Sequence, residues 1–237
     1  MAYWKTITQA HPAVQHLIKK DKRLAKVIAM VGDIEYEEQA DCFARLVRSI
    51  VNQMLSNKVA RILRDRLAAL CGGQITSGAV LKLSRDQLRE IGISYAKADA
   101  IIGAAKAVAD GKIHFEKFPQ MTDEEVIKEL TTLKGVGVWS AKMYLIFTLN
   151  RPDVLPYEDG AFLQSYAWLY KTNELEPRAI MKRCKKWKPY SSFAARYLYY
   201  ALDMGLTKKE FHLFRHGNLQ QHAGVSETEK RGTDVLC

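Results

Sequence analysis

Apolar residues recur every three to four positions along most of this chain, and that spacing dictates helices. Over residues 38–54, the pairs Cys42-Phe43, Leu46-Val47, Ile50-Val51 and Met54-Leu55 fall on one side of a 3.6-residue period. Val59, Ile62-Leu63 and Leu67 continue the pattern into a second helix, with Ser56 or Asn57 as its cap and Gly72-Gly73 as its stop. Ser84, followed three residues later by Gln87, predicts a capping box and a short helix ending at Gly92. Ser94 caps the next helix, which runs to Ala109 and stops at Asp110-Gly111. Thr122 opens another, to about Thr131, and further helices are expected over 140–149, 161–170, 178–187 and 192–204. No alternating run exceeds four or five residues, so strands find little support. The expected fold class is all-α, built from many short helices.

Charge narrows the partner. Thirty-six Lys and Arg face 26 Asp and Glu, a formal excess of +10, which fits a polyanion such as nucleic acid. The four cysteines, Cys42, Cys71, Cys184 and Cys237, show neither CxxC nor Cys/His spacing, which argues against a zinc or iron–sulfur site. Cys42 and Cys71 sit in helical patterns and read as buried thiols. No apolar run resembles a signal peptide or a membrane span, so the expected location is intracellular: cytoplasm or nucleoid, or the nucleus in a eukaryote. Residues 216–237 are polar and read as a tail.

The segment Leu133-Lys-Gly-Val-Gly-Val-Trp139-Ser-Ala stands between two helical patterns. Gly135 and Gly137 allow a tight reversal, with positive φ available at both. The amides of the two glycines and of the following first helical turn would then converge on one DNA phosphate, a contact without base preference. An ordinary αα-hairpin turn is the alternative reading of these residues.

Helix, LxGVGxW, helix and then Arg151-Pro-Asp-Val-Leu-Pro-Tyr-Glu-Asp159-Gly resembles the helix-hairpin-helix (HhH-GPD) DNA glycosylase superfamily, and within it the 3-methyladenine DNA glycosylase II branch. Three further stretches are similar to that family, in its order. These are residues 43–56, ending in Gln53-Met-Leu-Ser56; Gly92-Ile-Ser-Tyr-Ala-Lys-Ala98; and residues 187–199, beginning Trp187-Lys-Pro-Tyr. Two departures stand out. Ser191 occupies the position of a family arginine, and the extra N-terminal α/β domain of some members is not expected. The resemblance implies two helical lobes flanking a DNA-binding cleft within residues 1–215, about 40–112 forming one lobe and 1–39 with 113–215 the other.

It also implies roles. Asp159 follows Trp139 by 20 residues, the family spacing of the catalytic aspartate, and would stabilise an oxocarbenium-like sugar or orient water. An N-cap role is open to the same residue, and Glu158 is the rival carboxylate. Trp139 stands where bifunctional members carry a nucleophilic lysine, and tryptophan cannot form a Schiff base. Lys134 and Lys142 are off that position and would neutralise phosphate or face solvent. Trp139, Met143, Tyr199 and Tyr200 would line a base pocket, the tyrosines having core packing as their alternative. Met54 would fill the gap left by a flipped nucleotide, and Gln53 would bond the opposite base. Ser56 belongs to the same DNA-binding set, with Ser94 and Lys97 at phosphate. The carbonyls of Thr131, Leu133 and Val136 would hold a structural Na+ or K+, and no other cofactor is required.

The expected activity is therefore that of a monofunctional glycosylase releasing 3-methyladenine and 7-methylguanine from double-stranded DNA in base-excision repair, as a monomer. A glycosylase/AP lyase for oxidised bases and a non-catalytic helix-hairpin-helix DNA-binding protein are the alternatives, and a DNA-free scaffold fits least.

Overall fold

The computed structural model describes residues 3–38 and 41–213; the polar segment at 216–237 and Cys237 lie outside the described residues. The described residues divide into two compact units, one formed by 3–5, 37–38 and 41–156, the other by 6–36 and 157–213. The elements are predominantly helical, as the periodicity requires. The exception is a two-stranded sheet of β1 (Tyr3–Ile7) and β2 (Ile34–Glu38). These five-residue strands are too short to stand out as alternation, and they pair with each other.

In the first unit α3 (Cys42–Asn52) is central, after two N-terminal helices of the other unit, α1 (Pro12–Lys20) and α2 (Lys22–Val31). α3 is shorter than the expected 38–54, because Asp41 caps it at the Ala44 amide and the chain leaves helical geometry at Gln53 (ψ 127°). Its Leu46, Val47, Ile50 and Val51 are fully buried. α3 packs on α4 (Asn57–Leu70), on α7 (Tyr95–Ala109) and on α9 (Val138–Phe147). The short α5 (Ser77–Val80) and α6 (Arg85–Glu90) pack on α7, and α8 (Asp123–Leu130) packs on α9. Both capping boxes form, at Ser84/Gln87 and Thr122/Glu125. Packing of α8 and α9 in this unit places 113–156 with 41–112, rather than with the second lobe as the sequence suggests.

The second unit joins α1 and α2 to α10 (Gly160–Tyr170), α11 (Pro177–Cys184) and α12 (Ser191–Asp203). α12 packs on α10 and α2, and the 3-10 turn Lys185–Trp187 packs on α1. Its centre is a set of rings, Phe162, Tyr166, Tyr170 and Trp187, with successive centroids 5.0 to 6.4 Å apart. Of the described cysteines only Cys184 is buried; Cys42 and Cys71 are half-buried, because each lies at a helix end and not in its interior. No helix among the described residues is long and apolar enough to cross a membrane.

Candidate functional site

In the first unit the α8–α9 turn is built from its own backbone. Thr131 ends α8, the Val136 amide donates to Leu133 O at 3.1 Å, and Gly137 caps α9. Gly135 has φ +82°, and a Cβ there would stand 2.7 Å from Ala100 Cβ. Glycine is therefore required both by conformation and by the close approach of α7. Gly137 is extended (φ −94°), with open space where a Cβ would be, so positive φ is needed at one glycine and not at both. α9 starts without a side-chain cap, and its first-turn amides have no intrahelical acceptor. That arrangement suits an anion.

Trp139 is half-buried in this first turn, and Met143, one turn on, is buried. Lys134 is exposed. Lys142 is buried and donates to Leu155 O at 3.3 Å, so it neither faces solvent nor reaches for phosphate.

The α3–α4 turn is tied to the hairpin. The Gln53 side-chain amide donates to Gly135 O and to Ser140 Oγ, both at 2.9 Å. Lys97, expected at phosphate, instead places its ammonium 2.6 Å from Val51 O and from Gln53 O, neutralising the C-terminal carbonyls of α3. Burial accordingly pulls the Lys97 pKa down. Gln53, expected at the opposite base, likewise spends its amide on the hairpin. Both bonds are long-range in sequence, which is why local motifs do not announce them. Ser56 and Ser94 are N-caps, accepting the Val59 and Lys97 amides at 3.4 Å.

Met54 follows at the tip with φ +56° and its side chain fully exposed. It does not finish the apolar stripe of α3. A methionine in left-handed backbone with its side chain open to solvent is a strained position.

In the second unit Asp159 caps α10: its Oδ1 accepts the Phe162 amide at 2.7 Å, and the residue is 6% exposed. Glu158 beside it is exposed. α10 is held in turn by Asp21. This carboxylate caps α2 through the Arg23 and Leu24 amides, and accepts from Tyr170 Oη, from Trp187 Nε1 (2.9 Å) and from Lys186 Nζ (3.0 Å). Burial alone would raise its pKa, but the donors of Tyr170, Trp187 and Lys186 outweigh that and hold it below the usual carboxylate range. Asp21 carries no sequence motif beyond its position between two lysines, so local pattern does not single it out.

Residues 47–189 match the HhH-GPD superfamily base excision DNA repair protein family, more than half of the chain. The chain belongs to this family. It is 28% identical over 198 residues to DNA-3-methyladenine glycosylase 1 of Schizosaccharomyces pombe, spanning 82% of this chain and 87% of that one. Its fold is similar to the crystal structure of a DNA-3-methyladenine glycosidase from Bacillus halodurans, with TM-score 0.71, 31% identity, and coverage of 83% and 92%. A S. pombe 3-methyladenine DNA glycosylase in complex with abasic DNA gives TM-score 0.74 and 28% identity, covering 81% and 96%. The protein is thus a base-excision DNA glycosylase of the broadly 3-methyladenine glycosylase-like kind.

Within that frame the two pocket tyrosines need correction. Tyr199 of this glycosylase is fully buried in α12, so it offers no ring face to a base. Tyr200 is nearly buried, and its hydroxyl donates to Glu35 O, which fastens α12 to β2. The core alternative accounts for the placement: α12 packs on α10, α2 and α1. Ser191, in place of the family arginine, is the buried first residue of α12.

Proposed function

We propose that this glycosylase is monofunctional and hydrolyses the N-glycosidic bond of flipped-out alkylated purines, 3-methyladenine and 7-methylguanine, leaving an abasic site in an intact strand. The observation that carries the reading is Asp159, a carboxylate buried beside an exposed neighbour and oriented through one oxygen by a helix cap. As the base departs with the bonding electrons, positive charge develops at C1′ and O4′ of the sugar. A fixed carboxylate stabilises that charge, and water completes the reaction by adding to C1′ and losing a proton. Alkylation at N3 or N7 already makes the base cationic, so it leaves neutral and little acid catalysis is required.

Trp139 supports both halves of the proposal. Its ring supplies a cation–π face worth about 0.5–2 kcal/mol to a charged base, and it has no amine with which to cleave the strand. Neither nearby lysine replaces it: Lys134 precedes the turn, and the ammonium of Lys142 is engaged at Leu155 O. Met54 would enter the duplex where the nucleotide has left. The carbonyls of Thr131, Leu133 and Val136 are neutral oxygens of one short turn, and Leu133 O retains a lone pair beyond its bond from Val136. They fit Na+ or K+, which when bound supplies positive charge beside the phosphate.

The test is single-turnover release of both bases from methylated duplex DNA, wild type beside Asp159→Asn. Release by the wild type alone, with strands that break only in alkali, is the expected result. Strand cleavage without alkali favours the lyase, and equal release by both proteins removes Asp159 from the chemistry.

A further inference from the structure

Two basic segments meet at Asp21 in the second unit. Residues 19–26 hold five Lys or Arg and one acid, Asp21; residues 178–188 hold six Lys or Arg and no acid. The Asp21–Lys186 ion pair and the packing of α1 on the 185–187 turn bring the segments side by side.

Several of these cations have work within the fold. Arg23 donates to Leu169 O at 2.7 Å and lies over the Phe211 ring, and Lys26 donates to His212 O. Arg183 bonds Glu174 at 3.4 Å and lies over Tyr170. Lys186 is the partner of Asp21. Lys19, Lys20, Lys22, Lys182 and Lys185 are exposed.

Helix dipoles explain part of this set: Lys19 and Lys20 lie in the last turn of α1, and Lys182 in that of α11. They do not explain Lys22, which is the first residue of α2, the end at which a cation is disfavoured. Lys185 is the C-cap of α11, again at an end where a cation is favoured. Asp21 cannot neutralise the set, since its single negative charge is already paired with Lys186. Five exposed cations thus stand around one carboxylate, a concentration of like charge larger than the helix ends need, and a regular polyanion matches it.

We propose that Lys19, Lys20, Lys22, Lys182 and Lys185 form a second, sequence-independent contact with the DNA phosphate backbone, separate from the hairpin. The inference rests on the reading of the protein as a DNA-acting glycosylase and adds a surface to it. The contact raises affinity for any duplex and leaves the bond-breaking step alone.

The experiment measures affinity of the full chain for a short undamaged duplex across about 50 to 300 mM salt. Wild type is compared with a Lys19→Gln, Lys22→Gln, Lys182→Gln, Lys185→Gln variant. A control with the same charge loss carries Lys82→Gln, Lys106→Gln, Lys117→Gln and Lys208→Gln. Each lost phosphate contact lowers the salt slope by about 0.9, so the first variant should lose about 2 to 4 from its slope, and the control less than about 1. Thermal midpoints of the variants should stay at the wild-type value, and single-turnover base release at saturating DNA should match wild type. An unchanged slope, as expected if an acidic protein is the true partner, overturns the proposal. An equal loss in the control does so too, since it would assign the effect to net charge. Because the duplex is undamaged, this result is readable even if the wild type releases neither alkylated base.

Discussion

The two units fasten their functional residues in opposite ways. Around the hairpin the acceptors are mostly main-chain carbonyls: Val51 O and Gln53 O for Lys97, Gly135 O for Gln53. The tip they support, Met54, is fully exposed. Around α10 the fastening converges on one buried carboxylate, Asp21, ringed by aromatic side chains. A turn braced through its backbone holds its shape while its tip stays open to a partner. A helix braced by one carboxylate holds Asp159 still, but depends on the identity of a single residue.

The largest expected effect follows from that dependence. Asp21→Ala should cost about 3–5 kcal/mol of stability, because it strands Trp187 Nε1 and Lys186 and uncaps α2 in one step. Thermal and urea denaturation check this. The pH dependence has a definite sign. With its folded pKa held low, Asp21 contributes its full stabilisation above the usual carboxylate range and loses it as pH falls through that lowered value. Asp21→Asn should flatten the acid limb of the stability curve; an unchanged limb would mean that other carboxylates govern it.

Asp159→Asn should act on rate and not on stability. Asparagine caps helices as well as aspartate does, so the thermal midpoint should hardly move, while base release falls by about 10²–10³, or about 3–4 kcal/mol. A matching loss of stability would reduce Asp159 to its cap. Next in size is the contrast between the two hairpin glycines. Gly135→Ala forces a Cβ against Ala100 in left-handed backbone and should cost about 1–3 kcal/mol. Gly137→Ala meets open space at extended φ and should cost less than about 1 kcal/mol of stability. It should nevertheless weaken DNA binding, since that space is where a phosphate would approach.

Much of the local structure was legible because its cause is local. Ser84, Ser94, Thr122 and Asp159 each announce a helix start within three residues, and each does cap one. The resemblance carried the hairpin and the order of the motifs. What escaped depends on distant partners. Lys97 reaches carbonyls 44 and 46 positions away, and Gln53 reaches 82 and 87. Nothing within either segment's pattern distinguishes such a bond from a phosphate contact. Tyr199 and Tyr200 stand in a segment crowded with tyrosines, where only packing decides which ring is enclosed. The stripe of α1 and α2, with Leu17, Leu24 and Val27 fully buried, is present in the sequence as helical periodicity but carries no motif.

Met54 gives the smallest effect and the sharpest contrast, because stability and activity should move in opposite directions. Left-handed backbone costs a residue with a Cβ about 1–2 kcal/mol, and glycine escapes that cost while losing no packing, since the side chain touches nothing. Part of the gain is returned through the greater entropy of glycine in the unfolded chain, so Met54→Gly should raise stability by about 1 kcal/mol or less. The same variant removes the apolar plug and should slow base release from duplex DNA, with a much smaller effect on release from single strands, where no stack has to be filled. A duplex rate equal to wild type would show that the exposed methionine is not the wedge. A stability below wild type would show that its backbone is not strained. The two measurements are independent, so the wedge role and the backbone strain are tested separately.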